Sequence, residues 1–326
     1  MSENTAETAV FEKKARFYRK RTVLVPLALV CCFLWGSAFP CIKIGYSWLQ
    51  IDSADTATQI LFAGVRFTLA GIMAIVIASF QEKKVVLPTM DSLPRIGVLA
   101  LFQTILQYIF YYIGLANTTG VKGAILHGTT TFFCFLLAAF LFRMEKMSAP
   151  KLTGCILGFI GLVLVNLSGG GLNFDFRLVG EGFMLLAAVS SAMSANVTRI
   201  FTQKDSPVML NGYQFLFGGI FLCAVGLLMG GTLTFYGIKC VLLVLYMAFV
   251  SAVAYSLWGT LLKYNPVSRV TIFGFLFNVL GVLMSAVLLQ EYSSLNIRCL
   301  IALVLVSAGI IIVNRGDADS AEAQAG

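Results

Sequence analysis

Apolar residues along this chain come in long uninterrupted runs rather than in an alternating or one-face pattern. A helix needs about 20 apolar residues to cross the hydrocarbon of a bilayer. Ten runs approach or reach that length: 23–47, 57–80, 94–116, 121–142, 150–168, 178–201, 208–230, 238–262, 268–290 and 295–314. Polar residues collect in the gaps, which are too short to hold a soluble domain, and in two tails, 1–22 and 315–326. The pattern predicts an all-α integral membrane protein of ten transmembrane helices.

Composition agrees with that reading. Of the 326 residues 59% are hydrophobic and 12% charged, whereas a soluble domain carries about 25% charged residues because its surface faces water. The net charge of +8 does not form the stripe that a nucleic-acid surface needs. Its Lys and Arg residues sit in short clusters between apolar runs, the arrangement that sets membrane topology. Seventeen of the 23 fall on the ends that share a side with the amino terminus, four fall on the opposite ends, and Lys43 and Arg66 lie within runs. Both termini are therefore expected in the cytoplasm of a cell bounded by a bacterial-type plasma membrane. Residues 1–21 are polar and the first run is too long for a signal-peptide core, so no cleaved leader is expected.

The chain also echoes itself. Arg66–Ile72 (RFTLAGI) is answered by Gln214–Ile220 (QFLFGGI), 148 residues later. Leu141–Glu145 pairs with Val287–Glu291, and Gly161–Asn166 with Gly309–Asn314, in the same order at offsets of 146 to 148. Residues 23–168 and 178–314 are thus expected to be two five-helix repeats. Five is odd, so the second repeat must enter the membrane upside down relative to the first. Inverted repeats place a binding site at their interface near the midplane, and exchanging their conformations opens that site to either side in turn.

With the repeats in view, the chain resembles the EamA-type, ten-helix members of the drug/metabolite transporter superfamily across residues 23–314. The resemblance rests on Leu34-Trp35-Gly36-Ser37 with Phe39 and Lys43 in the first span, and on Arg66-Phe67 in the second. Glu145 and Glu291 match the acid that closes the fourth helix of each repeat. It implies a carrier of amino acids, related metabolites or drugs, without choosing among them. Family members often have a proline thirteen residues before that acid. Here Phe132 and Asn278 stand there, which removes the usual reason for a kink in the fourth and ninth spans and makes Asn278 a candidate cavity group.

Charges inside a bilayer are costly and are functional candidates by default. Lys43 either snorkels to the interface or meets a substrate carboxylate, helped by helix disruption at Gly36 and Pro40. Arg66 lies about 13 Å into its span at 1.5 Å per residue, too deep to snorkel, and either hydrogen-bonds structurally or touches substrate. His127, the only histidine, heads a polar string with Thr130 that cannot comfortably face lipid. Gln103, Gln107 and Tyr111 share a face at four-residue spacing, and Tyr108 and Tyr112 extend an aromatic patch beside them. Asn196, Tyr255, Trp258 and Asn278 are the comparable candidates in the second half. Trp35, Gly36, Glu145 and Glu291 are expected to be architectural.

Absences narrow the function. No acid lies near the middle of a span, unlike the four-helix cation exporters of the same superfamily, so an anionic or zwitterionic solute fits better than a lipophilic cation. With no second histidine, no phosphate-binding loop and no CxxC pair among the eight cysteines, enzymatic chemistry, a metal and a cofactor are not expected. Cys31, Cys32, Cys134, Cys155 and Cys223 read as small hydrophobes. The expected partners are a small-molecule solute and the lipid bilayer, with monomer and homodimer both open and nucleic acid excluded. The competing readings are a multidrug exporter of the same superfamily, a lipid flippase and a non-transporting membrane protein.

Overall fold

The structure, a computed structural model, describes residues 16–144, 149–168, 173–174, 176–202, 204–265, 270, 273–292 and 297–322. Among them, seven helices are long and apolar enough to cross a membrane. These are α1 (Arg21–Trp48), α2 (Thr56–Glu82), α3 (Met90–Ala116), α4 (Gly120–Leu141), α6 (Leu178–Phe201), α7 (Pro207–Leu228) and α8 (Ile238–Tyr264). Three further helices have shorter apolar stretches: α5 (Ala149–Asn166), α9 (Gly274–Leu288) and α10 (Ile297–Glu322). The described structure is helical apart from a two-residue antiparallel ladder after α5, in which Leu167 pairs with Phe174 and Ser168 with Asn173.

Local chemistry sets the helix ends. Asp55 caps α2 by accepting from Thr58 N at 3.0 Å, and Lys83 closes that helix in the left-handed region at φ 52°. Thr119 caps α4 through Lys122 N at 3.1 Å. α10 runs on to Glu322, beyond the apolar limit at 314.

The expectation for α4 needs correcting. Without a proline it is still discontinuous: α-helical turns run from Gly120 to Gly128 and from Thr130 to Leu136, and π-type turns follow from Leu137 to Leu141. The Thr129 and Thr130 hydroxyls donate back to the carbonyls of Leu126 (2.6 Å) and His127 (2.7 Å). Threonine back-bonding of this kind competes with the helical ladder and bends helices. Phe132, at the family's proline position, is buried against α5, where a Cβ on Gly158 would lie 1.9 Å from the ring.

Packing follows a simple rule of partners. α1 lies on α8 and α9, and α6 lies on α3 and α4; α2 lies on α8, and α7 on α3; α2 meets α7, α4 meets α9, and α5 meets α10. The α2–α7 contact is made backbone to backbone. A Cβ on Gly71 would lie 2.4 Å from Leu216 N, and one on Gly219 would lie 2.3 Å from Thr68 N. Farther along, Gly64 faces Cys223 N at 2.4 Å, and Gly212 meets the Ile75 side chain at 2.8 Å. As α2 is followed forward its partners on α7 run backward, so the two helices are antiparallel. Moving each residue by 148 positions carries the Gly71–Leu216 contact onto Gly219–Thr68, and Gly64–Cys223 onto Gly212–Ile75.

Candidate functional site

Where these helices converge, side chains from seven of them form an aromatic cluster. Its seat is glycine. A Cβ on Gly36 would lie 2.9 Å from Leu280 Cβ and 3.2 Å from Gly281 N, and one on Gly281 would lie 2.8 Å from Phe39. α1 can therefore press onto α9 and carry Trp35 and Phe39 inward. The Trp35 ring meets Trp258 (5.1 Å between centroids), Tyr255 (5.2 Å) and Phe277 (5.8 Å), all edge to face, the geometry that ring quadrupoles favour. One turn on, Phe39 meets Tyr111 at 5.8 Å and His127 at 6.0 Å. Phe67 of α2 and Phe215 of α7 are stacked at 5.3 Å, and Phe215 meets Tyr255 at 5.0 Å.

α3 reaches this cluster through a π-helical segment, Ala100–Leu106. Such turns bond residue i to i+5 and occur often at functional sites. Here the segment brings two positions five apart to one partner: Tyr108 lies 3.5 Å from Tyr255 hydroxyl to hydroxyl, and Gln103 faces the same hydroxyl. Gln103, Gln107 and Tyr111 are all buried.

His127 sits in the last turn before the α4 break, with its ring among Tyr111 (5.3 Å), Phe39 and Phe277 (6.2 Å). Neither ring nitrogen has a hydrogen-bond partner, and both are buried. The same holds for Trp35 Nε1 and Gln107 Oε1. Buried polar atoms are normally paired, and here two of the unpaired groups, those of Trp35 and His127, belong to one cluster. Trp35, His127, Tyr255, Trp258 and Phe277 remain part-accessible.

Other candidates are engaged elsewhere. Arg66 is buried with its guanidinium donating to Tyr112 Oη (2.8 Å), Ser251 Oγ (2.9 Å) and the Met247 carbonyl (3.2 Å); its charge lies over the Phe67 ring at 4.7 Å. Its equivalent Gln214 accepts from the Thr104 hydroxyl on α3. Lys43 lies within the electrostatic reach of Glu291, whose two oxygens accept from the amides of Gly120 and Val121 at 3.0 Å each. Glu291 thus caps α4 from the far end of α9. Asn196 ties α6 to the Cys134 carbonyl at 3.1 Å, and Thr130 bonds within α4, so the structure does not bring these two into the cluster. Asn278 is buried next to Phe277. Glu145 lies outside the described residues.

Sequence reasoning missed Ser251 and Glu181. Ser251 precedes Tyr255 and Trp258 at helical spacing, a signal that was available. Glu181 is buried in the first turn of α6 and accepts from Thr118 Oγ1 (2.8 Å) and Arg177 N (2.9 Å), with Lys122 Nζ 3.6 Å away. Its cue is an acid placed at a helix amino terminus.

The profile of the EamA-like transporter family matches this chain over residues 23–167 and 178–315. The chain belongs to that family. An uncharacterized transporter of Archaeoglobus fulgidus is 25% identical over 296 residues, 89% of this chain and 98% of that protein. A probable amino-acid metabolite efflux pump of Escherichia coli is 28% identical over 278 residues, 81% of this chain and 86% of that one. A chloroplastic WAT1-related protein of Arabidopsis thaliana is 26% identical over 266 residues; the match takes in 75% of this chain but 61% of that longer protein. One solved crystal structure superposes with a TM-score of 0.62 over 90% of this chain and 96% of the other, at 18% identity, a likeness of fold alone. As an EamA-like protein the chain is a multi-pass membrane protein, and the Archaeoglobus and Escherichia coli relatives are named as a transporter and an efflux pump.

Proposed function

We propose that this EamA-like protein carries a small amino-acid-like metabolite, anionic or zwitterionic, out of the cell by alternating access, binding it in the aromatic chamber between two inverted halves. Residues 23–168 and 178–314 are the two halves, ten helices cross the plasma membrane, and both tails lie in the cytoplasm. Two observations support the inverted repeat. Exchanging α1–α5 with α6–α10 carries the main packing partners onto one another, and the glycine contacts of α2 and α7 map onto one another under one offset. An axis relating the halves then passes through the antiparallel α2–α7 crossing.

The observation that carries a solute site is the aromatic cluster itself. Rings from both halves meet there, and within it Trp35 Nε1 and both ring nitrogens of His127 are buried without hydrogen-bond partners. Small-molecule sites have this character: mostly apolar walls with few, placed polar groups. Lys43, Arg66 and Asn278 frame the chamber in this reading, and Gln103, Tyr111, Tyr255 and Trp258 line it. The Escherichia coli relative named as a probable amino-acid metabolite efflux pump supports the substrate class and the direction.

Counterflow in proteoliposomes tests the proposal. Vesicles preloaded with unlabelled amino acids should accumulate labelled ones, with saturation, only when the protein is present. Accumulation of lipophilic cations without amino-acid exchange would instead favour a multidrug exporter. Absence of any saturable exchange would remove the carrier reading.

A further inference from the structure

We infer that the groove between α4 and α5 is a binding site for one acyl chain of a membrane phospholipid, and that the seated chain props the broken span α4. The inference stands apart from the solute reading and uses none of its residues.

Glycine and one ring set the width of this groove. α5 is drawn onto α10 backbone to backbone, since a Cβ on Gly309 would lie 2.6 Å from the Gly154 carbonyl oxygen. The Phe132 ring of α4 reaches the same point. It occupies the space that a side chain on Gly158 would need, and it lies 3.1 Å from the position of a Cβ on Gly309. The ring is therefore a spacer, set just after the α4 break at Thr129. Beside it remains a cavity of about 310 Å³, walled by Thr129, Phe133 and Leu136 of α4 and by Ile156, Phe159 and Ile160 of α5.

Chemistry and depth choose the occupant. Among the described lining residues Thr129 alone is polar, and its hydroxyl already donates to the Leu126 carbonyl at 2.6 Å. Water would find no partner there, and an empty groove would leave its walls without dispersion contacts on one side. Thr129 lies nine residues after Gly120, about 13 Å along α4 at 1.5 Å per residue and so near the middle of about 30 Å of hydrocarbon. Ile156 and Ile160 likewise fall midway along α5. Ile156, Phe159 and Ile160 are exposed, and in a multi-pass membrane protein residues exposed at that depth face lipid. The groove thus opens sideways into the region where a phospholipid presents its tails and not its headgroup. A chain lying along Phe133 and Leu136 gives apolar packing to the stretch of α4 that follows its break.

Photo-crosslinking of the full-length protein in proteoliposomes tests the site. The probe is a phosphatidylcholine with a diazirine midway along one acyl chain, diluted into unlabelled phosphatidylcholine, and adducts are mapped by peptide mass spectrometry. Adducts on Phe133, Leu136 and Ile156 should exceed several-fold those on Ile220 and Phe221, which are exposed midway along α7. Ile160→Trp should fill the groove and bring its labelling down to the α7 level; Ile156→Phe is the milder filling should the larger one fail to fold. Uniform labelling of α4, α5 and α7 would reduce the groove to ordinary boundary lipid and overturn the inference, as would strong labelling that persists in a folded, filled variant. Protection of the groove together with covalent pairs of chains joined through α5 would assign it to a second copy instead. Propping is read separately, because a ligand that binds the folded state stabilises it. Dioleoylphosphatidylcholine added to delipidated protein should raise the melting temperature of wild type more than that of the filled variant, and an equal rise in both would remove the propping role.

Discussion

Arg66 donates from Nη2 to the Ser251 hydroxyl at 2.9 Å, and this bond joins α2 to α8 inside the helix assembly. With the bonds to Tyr112 and Met247 it makes a three-way tie among α2, α3 and α8. Arg66→Leu leaves both hydroxyls without their donor and should destabilise the protein by about 2 kcal/mol or more. Arg66→Lys recovers only part, because an ammonium cannot reproduce the guanidinium fork. A double-mutant cycle with Ser251→Ala, read by thermal unfolding in detergent, should return a coupling of about 1 kcal/mol; zero coupling would argue against the tie.

At the α2–α7 crossing no room exists for a side chain. Gly219→Val must push α2 away, since even its Cβ would sit 2.3 Å from Thr68 N. We expect a loss of at least about 3 kcal/mol, at the upper end of overpacking effects, or no folded protein on size exclusion. Gly97→Ala is the control: nothing lies within 4 Å of its Cβ, and alanine gains about 1 kcal/mol of helix propensity there.

Glu291 should behave as a cap rather than as a proton carrier. Glu291→Ala strands the amides of Gly120 and Val121 and should destabilise by about 1–2 kcal/mol. Glu291→Gln retains one acceptor and should fall between the two. Equal exchange rates for wild type and Glu291→Gln at matched folding would support a structural role, whereas abolished exchange with unchanged melting would contradict it.

The proposed topology separates two loops. In a background whose native cysteines are replaced, Lys84→Cys should be protected from an impermeant maleimide in intact cells and Gly230→Cys should be labelled. The reverse pattern would invert the orientation.

Much of this was legible in the one-dimensional pattern because bilayer crossing constrains it severely: long apolar runs leave little choice of fold. Four-residue spacing could not register the π-helical segment, which sets Gln103 with Tyr108 against Tyr255. Contacts across the fold were harder to read. Nothing local to Glu291 says that it caps a helix beginning 171 residues earlier. Arg66 drew attention as a charge, yet charge alone does not say whether a group is engaged; only the positions of Ser251 and Tyr112 decide that. The α4 break was hidden because the expected cause, proline, is missing and threonine back-bonding acts instead.

The π-helical stretch of α3 sets the reading frame of the chamber wall. A π turn takes up more residues than an α turn, so residues 100–106 hold slack that an ordinary helix lacks. Deleting one residue there, Leu101 for example, would let the ladder revert to α spacing. Everything beyond it would keep its facing, because the step of about 100° lost with one residue offsets the extra residue that the π turn takes up. Gln107, Tyr108, Tyr111 and Tyr112 would stay turned toward their partners. The same single-residue deletion in the α-helical stretch Leu93–Leu99, which holds no such slack, would instead turn the residues before it by about 100° against those after it. In this helix, residue count matters as much as residue identity.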